Sequence, residues 1–191
     1  MLYKDFLKRL FDISVSLIGL VVSAPLFVLV AILLKTERTG AVFFVQQRVG
    51  ANFKPFNLYK FRSMISDTPK TGLSITAGDD RRITKIGKFL RKTKIDELPQ
   101  LFNVLKGDMS FVGPRPEVNK YVDIFYNDYK EILKIRPGIT DMASIKYRNE
   151  SDILGKAKEP EKEYIDNISF IYDVALIFKT LIRLVNSGRR L

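Results

Sequence analysis

The sequence predicts a mostly helical α+β protein with an N-terminal re-entrant membrane helix-hairpin, a small β-hairpin, and amphipathic interfacial helices around a cytoplasmic site. Three observations predict it. Residues 13–34 form an uncharged apolar run that meets the ~20 residues needed to cross a bilayer, with Pro25 near its middle. Two β-branched and aromatic segments, 41–48 and 55–64, flank a stretch of turn formers. Beyond them, Lys and Arg alternate with aliphatic residues at helical spacing. A chain of 191 residues builds one compact core and is short for two ordinary domains. Residues 1–36 are therefore expected in the membrane and 37–191 as one continuous cytoplasmic unit.

Composition narrows the chemistry. The balance of 32 Lys+Arg against 21 Asp+Glu leaves +11, which suits an anionic partner or a set of solvated lysines. Nucleic acid is disfavoured, because no nucleic-acid motif is present, Trp is absent and the apolar run has no role there. The chain has no His and no Cys. That removes Ser-His-Asp triads, thiol nucleophiles, disulfides and His/Cys zinc sites together. Any catalysis must use carboxylates, Lys, Arg, Tyr or hydroxyls, and the metal that suits such ligands is a hard cation such as Mg²⁺.

The elements follow in order. The run 13–34 exceeds the ~7–15 residues of a signal-peptide core and no A-x-A-like site follows it. Both flanks are basic, with Lys4, Lys8 and Arg9 before and Lys35, Arg38 and Arg48 after. Positive charge prefers the cytoplasmic side. A helix that enters, bends at Ser23 and Pro25 and returns to the same leaflet meets this better than a full span. Proline removes one backbone bond there, and a nearby Ser hydroxyl can serve the freed group. The β-hairpin over 41–48 and 55–64 is expected to bring Arg48, Lys60 and Arg62 close together. Residues 65–80 read as a polar loop. Residues 83–93 read as a basic amphipathic helix suited to anionic headgroups, and 96–106 as a short helix ending at Gly107. The stretch FVGPRPE at 111–117 reads as a rigid loop, 117–135 as a helix, and 161–187 as one long helix in the core or the interface.

The chemistry centres on Asp96 and Glu97. At the start of the 96–106 helix, Asp96 is expected to be an N-cap held ionised by the helix dipole. Two acids at a helix start are commonplace, and alone they carry little. Their surroundings add weight. An ionised Asp is a known type of covalent nucleophile, and adjacent carboxylates can hold Mg²⁺ together with substrate phosphates. Arg91 precedes the pair; Arg115, clamped between Pro114 and Pro116, follows it. A guanidinium matches phosphate oxygens.

KRLFD (8–12), the proline-containing apolar run, QQRVG (46–50), YKFRSM (59–64), the stretch from LRKTKIDELPQ to GPRPE (90–117) and RPGIT (136–140) resemble the monotopic bacterial sugar transferases over nearly the whole chain. The resemblance is to the small polyprenyl-phosphate phosphoglycosyl transferases, of the Campylobacter-type N-glycosylation initiating kind. It implies an enzyme of the bacterial inner membrane with its catalytic domain and N-terminus cytoplasmic. Asp96 would attack the β-phosphate of a UDP-sugar, expel UMP and pass the sugar phosphate to undecaprenyl phosphate. Glu97 would help bind Mg²⁺. Arg115 would hold a phosphate, with Lys60, Arg62, Arg91 and Pro114 as further candidates, and Ser23 and Pro25 would form the membrane bend. An N-acetylated sugar is implied, and the pocket that reads it is expected among loop residues, in 65–80 or 146–150. Asp141 stands after RPGIT where the family usually has Gly. The alternatives are a non-catalytic basic membrane-surface protein and a glycosyltransferase that releases UDP.

Overall fold

The structure is a computed structural model that describes residues 6–38, 40–65, 82–142, 145 and 158–188. The expected loop at 65–80, Ile65 apart, and the stretch 146–150 lie outside the described residues. The chain runs α1 (Lys8–Thr36), β1 (Phe43–Val49), β2 (Pro55–Phe61), α2 (Lys85–Thr93), α3 (Gln100–Lys106), β3 (Ser110–Val112), α4 (Asn119–Ile124), α5 (Tyr126–Ile132), β4 (Gly138–Thr140), α6 (Lys158–Asn167) and α7 (Phe170–Gly188). The mostly helical α+β expectation holds.

Helix α1 has 29 residues and is the one described helix long and apolar enough to cross a membrane. At ~1.5 Å per residue it is about 43 Å long. One narrow stripe of it meets the rest of the protein along almost its whole length. Arg9 donates to Val104 O (2.5 Å) and Leu105 O (2.8 Å), so a cation caps the carbonyl end of α3. Asp12 accepts from Ser110 Oγ and Phe111 N. Gly19 lies against Leu101, and Phe27 packs on Phe61 and Phe102. Val30 and Leu34 are buried with Phe61 and Leu90. The other faces are bare: Ile18, Val21 and Val22 are 62%, 68% and 74% exposed. Helical backbone continues through Pro25. Ser23 Oγ donates to Gly19 O at 2.5 Å. The carbonyl that Pro25 deprives of a partner is four residues back, at Val21, so the hydroxyl serves a different group from the one expected; such back-bonding itself favours bending.

Strands β1 and β2 form the expected antiparallel hairpin, in register from Phe43↔Phe61 to Val49↔Pro55. That register corrects one expectation. Lys60 lies opposite Phe44 and Arg48 opposite Phe56, four residues and about 13 Å apart along the strand. A second sheet was not foreseen. Its strands β3 and β4 pair in parallel, Ser110↔Gly138 and Val112↔Thr140, so part of FVGPRPE is strand and only its remainder is loop.

Three helix expectations need correction. The helix expected from 96 begins at Gln100, after a separate 3₁₀ turn Ile95–Glu97. The one expected over 117–135 is two short helices that break at Phe125, whose φ of −110° and ψ of 34° leave the helical region. Aromatic, Asn and Asp residues around the break have poor helix propensity. The long final helix is broken between Asn167 and Phe170, where Ser169 Oγ accepts from Tyr172 N and starts α7 afresh. Helix α2 is as expected, with Thr84 accepting from Gly87 N at its start.

Candidate active site

The acid pair sits on a turn that the core holds down. Helix α2 stops at Lys94, which adopts a left-handed conformation at φ 59° and redirects the chain into Ile95–Glu97. Ile95 and Leu98 on either side pack against the cluster of Val30, Leu34, Phe61 and Leu90. Burying two apolar anchors that flank the acids fixes their backbone against β2 and α1. Asp96 is 6% exposed, and its Oδ1 is buried without a hydrogen-bond partner among the described residues. Glu97 Oε1 accepts from Lys60 Nζ of β2 at 2.8 Å, with Lys94 Nζ at 3.9 Å.

The two neighbours are driven apart electrostatically. Burial and then the charge of Glu97 push the Asp96 carboxyl up to about 6, against the opposing pull of Lys60, Lys94 and Arg91. Burial pushes Glu97 upward too, but Lys60 and Lys94 outweigh it, and with Arg115 they bring it down to about 2. Glu97 is therefore ionised throughout, while Asp96 titrates near neutrality and is mostly anionic above pH 6. Asp96 is not the exposed N-cap expected from the sequence. It is a desolvated carboxylate on a 3₁₀ turn, with one oxygen left free. Two carboxylates, one orphaned, form an all-oxygen donor set that fits a hard cation when substrate phosphates complete it. No group of three or more acidic ligands occurs among the described residues.

Arg115 acts electrostatically on Glu97 from a loop built by two glycines. A Cβ on Gly113 would lie 2.4 Å from Arg136 O, and one on Gly138 would lie 2.2 Å from Gly113 N. Only glycine lets the GPRPE and RPGIT backbones touch, and the contact is sealed by Gly138 N donating to Pro114 O (2.9 Å) and Gly113 N to Thr140 O (3.0 Å). On the far side Val49 N donates to Glu117 O at 2.9 Å. Arg115 thus projects from a segment pinned at both ends, and its charge is felt at Glu97.

The structure brings Asp96, Glu97 and Lys60 together and sets Arg91 within electrostatic reach of Asp96 and Arg115 within that of Glu97; Pro114 is buried in the supporting loop. Arg62 is elsewhere, 3% exposed, donating to Ala41 O (2.8 Å) and Leu34 O (2.7 Å) with Glu37 at 3.6 Å. It caps the carbonyl end of α1 and has no free fork for a phosphate. Strand alternation alone would put Lys60 and Arg62 on one face, but β2 ends at Phe61 and the Arg62 guanidinium is taken by Leu34 and Ala41. Sequence reasoning missed Lys94, whose signal was its place two residues before the acids; it grouped Arg48 with Lys60, which the hairpin register separates.

Known proteins resemble the chain along almost its whole length. A model of the bacterial sugar transferase family matches residues 3–187. The UDP-N-acetylgalactosamine-undecaprenyl-phosphate N-acetylgalactosaminephosphotransferase of Aeromonas hydrophila is 42% identical over 183 residues, covering 92% of this chain and 43% of that protein. The exopolysaccharide production protein PSS of Rhizobium leguminosarum bv. phaseoli is 39% identical, covering 96% and 97%. The UDP-glucose:undecaprenyl-phosphate glucose-1-phosphate transferase of Klebsiella pneumoniae is 40% identical, covering 92% and 39%. The chain spans about two fifths of the Aeromonas and Klebsiella relatives and nearly all of the Rhizobium one.

Proposed function

The chain belongs to the bacterial sugar transferase family, and from that premise we propose that it moves a sugar 1-phosphate from a UDP-sugar to undecaprenyl phosphate through a covalent intermediate on Asp96. The observation that carries this reading is the free, desolvated Oδ1 of Asp96 beside an ion-paired Glu97. The step balances as two displacements at one phosphorus. A carboxylate oxygen of Asp96 attacks the β-phosphorus, the bond from that phosphorus to the bridging oxygen breaks, and UMP leaves with the electron pair. An oxygen of undecaprenyl phosphate then attacks the same phosphorus and expels the Asp96 carboxylate, giving undecaprenyl diphosphate sugar. In-line displacement needs a nucleophile that is ionised but poorly hydrated, which is what burial of Asp96 supplies.

The other residues take supporting roles. Lys60 and Lys94 hold Glu97 ionised and in place, and Glu97 raises the basicity of Asp96. Arg115 binds a phosphate and offsets the charge that develops during transfer, and Arg91 adds positive potential. Asp96 and Glu97 would hold Mg²⁺ with the diphosphate, where the ion supplies charge neutralisation. Helix α1 lies with its bare apolar faces in one leaflet, both ends on the same cytoplasmic side of the inner membrane, so a lipid-bound acceptor reaches the site without leaving the bilayer. The relatives are named for N-acetylgalactosamine and for glucose at similar identity. An N-acetylated sugar is our reading of the donor, and a panel decides it.

The test is nucleotide release by detergent-purified protein with Mg²⁺, undecaprenyl phosphate and a panel of UDP-sugars, beside Asp96→Asn. Acceptor-dependent UMP that vanishes in the variant is expected, and the active panel member names the sugar. UDP in place of UMP means glycosyl transfer and contradicts the covalent route.

A further inference from the structure

We infer that Arg48 is a positioning residue that clamps the loop carrying Arg115 and so aims Arg115 at the acid pair. Arg48 divides its fork between two elements. Nη1 donates to Pro116 O at 3.1 Å and lies 3.5 Å from Glu117 Oε2, while Nη2 donates to Gln46 Oε1 at 2.8 Å. The first contact grips the residue after Arg115; the second braces the guanidinium against its own strand. The adjoining backbone bond from Val49 N to Glu117 O fastens the same segment to the same strand. With Gly138 N holding Pro114 O on the other side, the residues on both sides of Arg115 are tied by their carbonyls.

The electrostatics agree with the geometry. The charge of Arg115 is felt at Arg48 and Glu117 on the clamp and at Glu97 in the site. A point-charge ammonium has no planar fork and cannot make the split contact, so Arg is required for the shape of its donor set. Arg48 lies about 13 Å along the hairpin from the position of Lys60. Both of its Nη atoms are occupied by Pro116, Glu117 and Gln46, so Arg48 acts through the loop that carries Arg115.

The inference deepens the proposed phosphosugar transfer and rests on it for the role of Arg115, so its test has two arms. In the first, Arg48→Ala lowers kcat/KM for the UDP-sugar by about 30- to 100-fold, since a displacement of about 1 Å costs on that order. Arg48→Lys does not restore it. In an Arg115→Ala background the same substitution costs less than about threefold more, because the two residues act as one unit. In the second arm, hydrogen exchange of peptides over 111–118 accelerates at least about tenfold in Arg48→Ala and mildly in Gln46→Ala, with α3 unchanged. Losses that multiply in the double variant, or an Arg48→Ala enzyme as active as the parent, overturn the inference. So does unchanged exchange over 111–118, whatever the parent's activity. A parent that releases no UMP overturns the proposed transfer, and the exchange arm still decides the clamp.

Discussion

At the scale of single residues, the divergence between Asp96 and Glu97 has measurable consequences. If Asp96 is the nucleophile, kcat/KM rises with pH through about 6 and then levels, because only the carboxylate attacks. A pH–rate profile of the parent checks this. Lys60→Met removes a charge that holds the Asp96 carboxyl down, so the ascending limb moves to higher pH and activity at pH 7 falls by about tenfold or more. Stability responds in the opposite sense. The folded-state value of Asp96 lies above its ordinary 3.8, so its contribution is full below that value and is lost as pH climbs through about 6. Asp96→Asn cannot ionise and is expected to be more stable than the parent at pH 7.5, by about 2 kcal/mol, with the gap closing below pH 4. Glu97 works the other way, contributing stability above 4.5 that fades as pH falls toward 2. Thermal melts at two pH values separate the effects.

At the scale of elements, the site depends on close backbone approaches that side chains would block. Gly138→Ala drives a Cβ to within 2.2 Å of Gly113 N. Overpacking of this kind costs about 1–3 kcal/mol, about 2–12 °C in melting temperature for a chain of this size. Activity should fall further than stability, because the displaced loop carries Arg115; differential scanning fluorimetry beside UMP release tests the pairing. The hairpin and α2 were legible because β-branched and aromatic content, turn residues and helical spacing of aliphatic residues are local signals. Asp96, Glu97 and Lys60 were picked out from the sequence, and the structure places them side by side. What was not legible depended on distant partners. The β3–β4 pairing joins residues almost 30 positions apart, and Arg62 reads like any phosphate-directed cation until Leu34 and Ala41 are seen to claim it. Asp96 looked like an N-cap because nothing in its neighbours announces the left-handed turn at Lys94.

At the scale of the molecule, one helix decides how the protein meets its membrane. Contacts along α1 from Arg9 to Leu34 hold both ends to the same body, with Lys8 also ion-paired to the buried Asp173 of α7. On the proposed reading, a helix fastened in this way keeps both ends on the same side of the membrane. The chain has no cysteine, so single cysteines at Phe6 and Thr36 can be probed with an impermeant maleimide in sealed vesicles. Both are expected to label from the same side; opposite sidedness would contradict the topology. On that reading a lipid phosphate and a soluble nucleotide sugar meet at the acid pair, whose flanking Ile95 and Leu98 pack with Val30 and Leu34 of α1. The most direct test of that account is the intact mass of purified protein incubated with Mg²⁺ and the active UDP-sugar in the absence of undecaprenyl phosphate. The account predicts a mass gain equal to one sugar phosphate, located on Asp96, discharged by adding undecaprenyl phosphate and absent in Asp96→Asn. An enzyme that turns over with acceptor yet never carries the adduct, or an Asp96→Asn variant that still releases UMP, would contradict it.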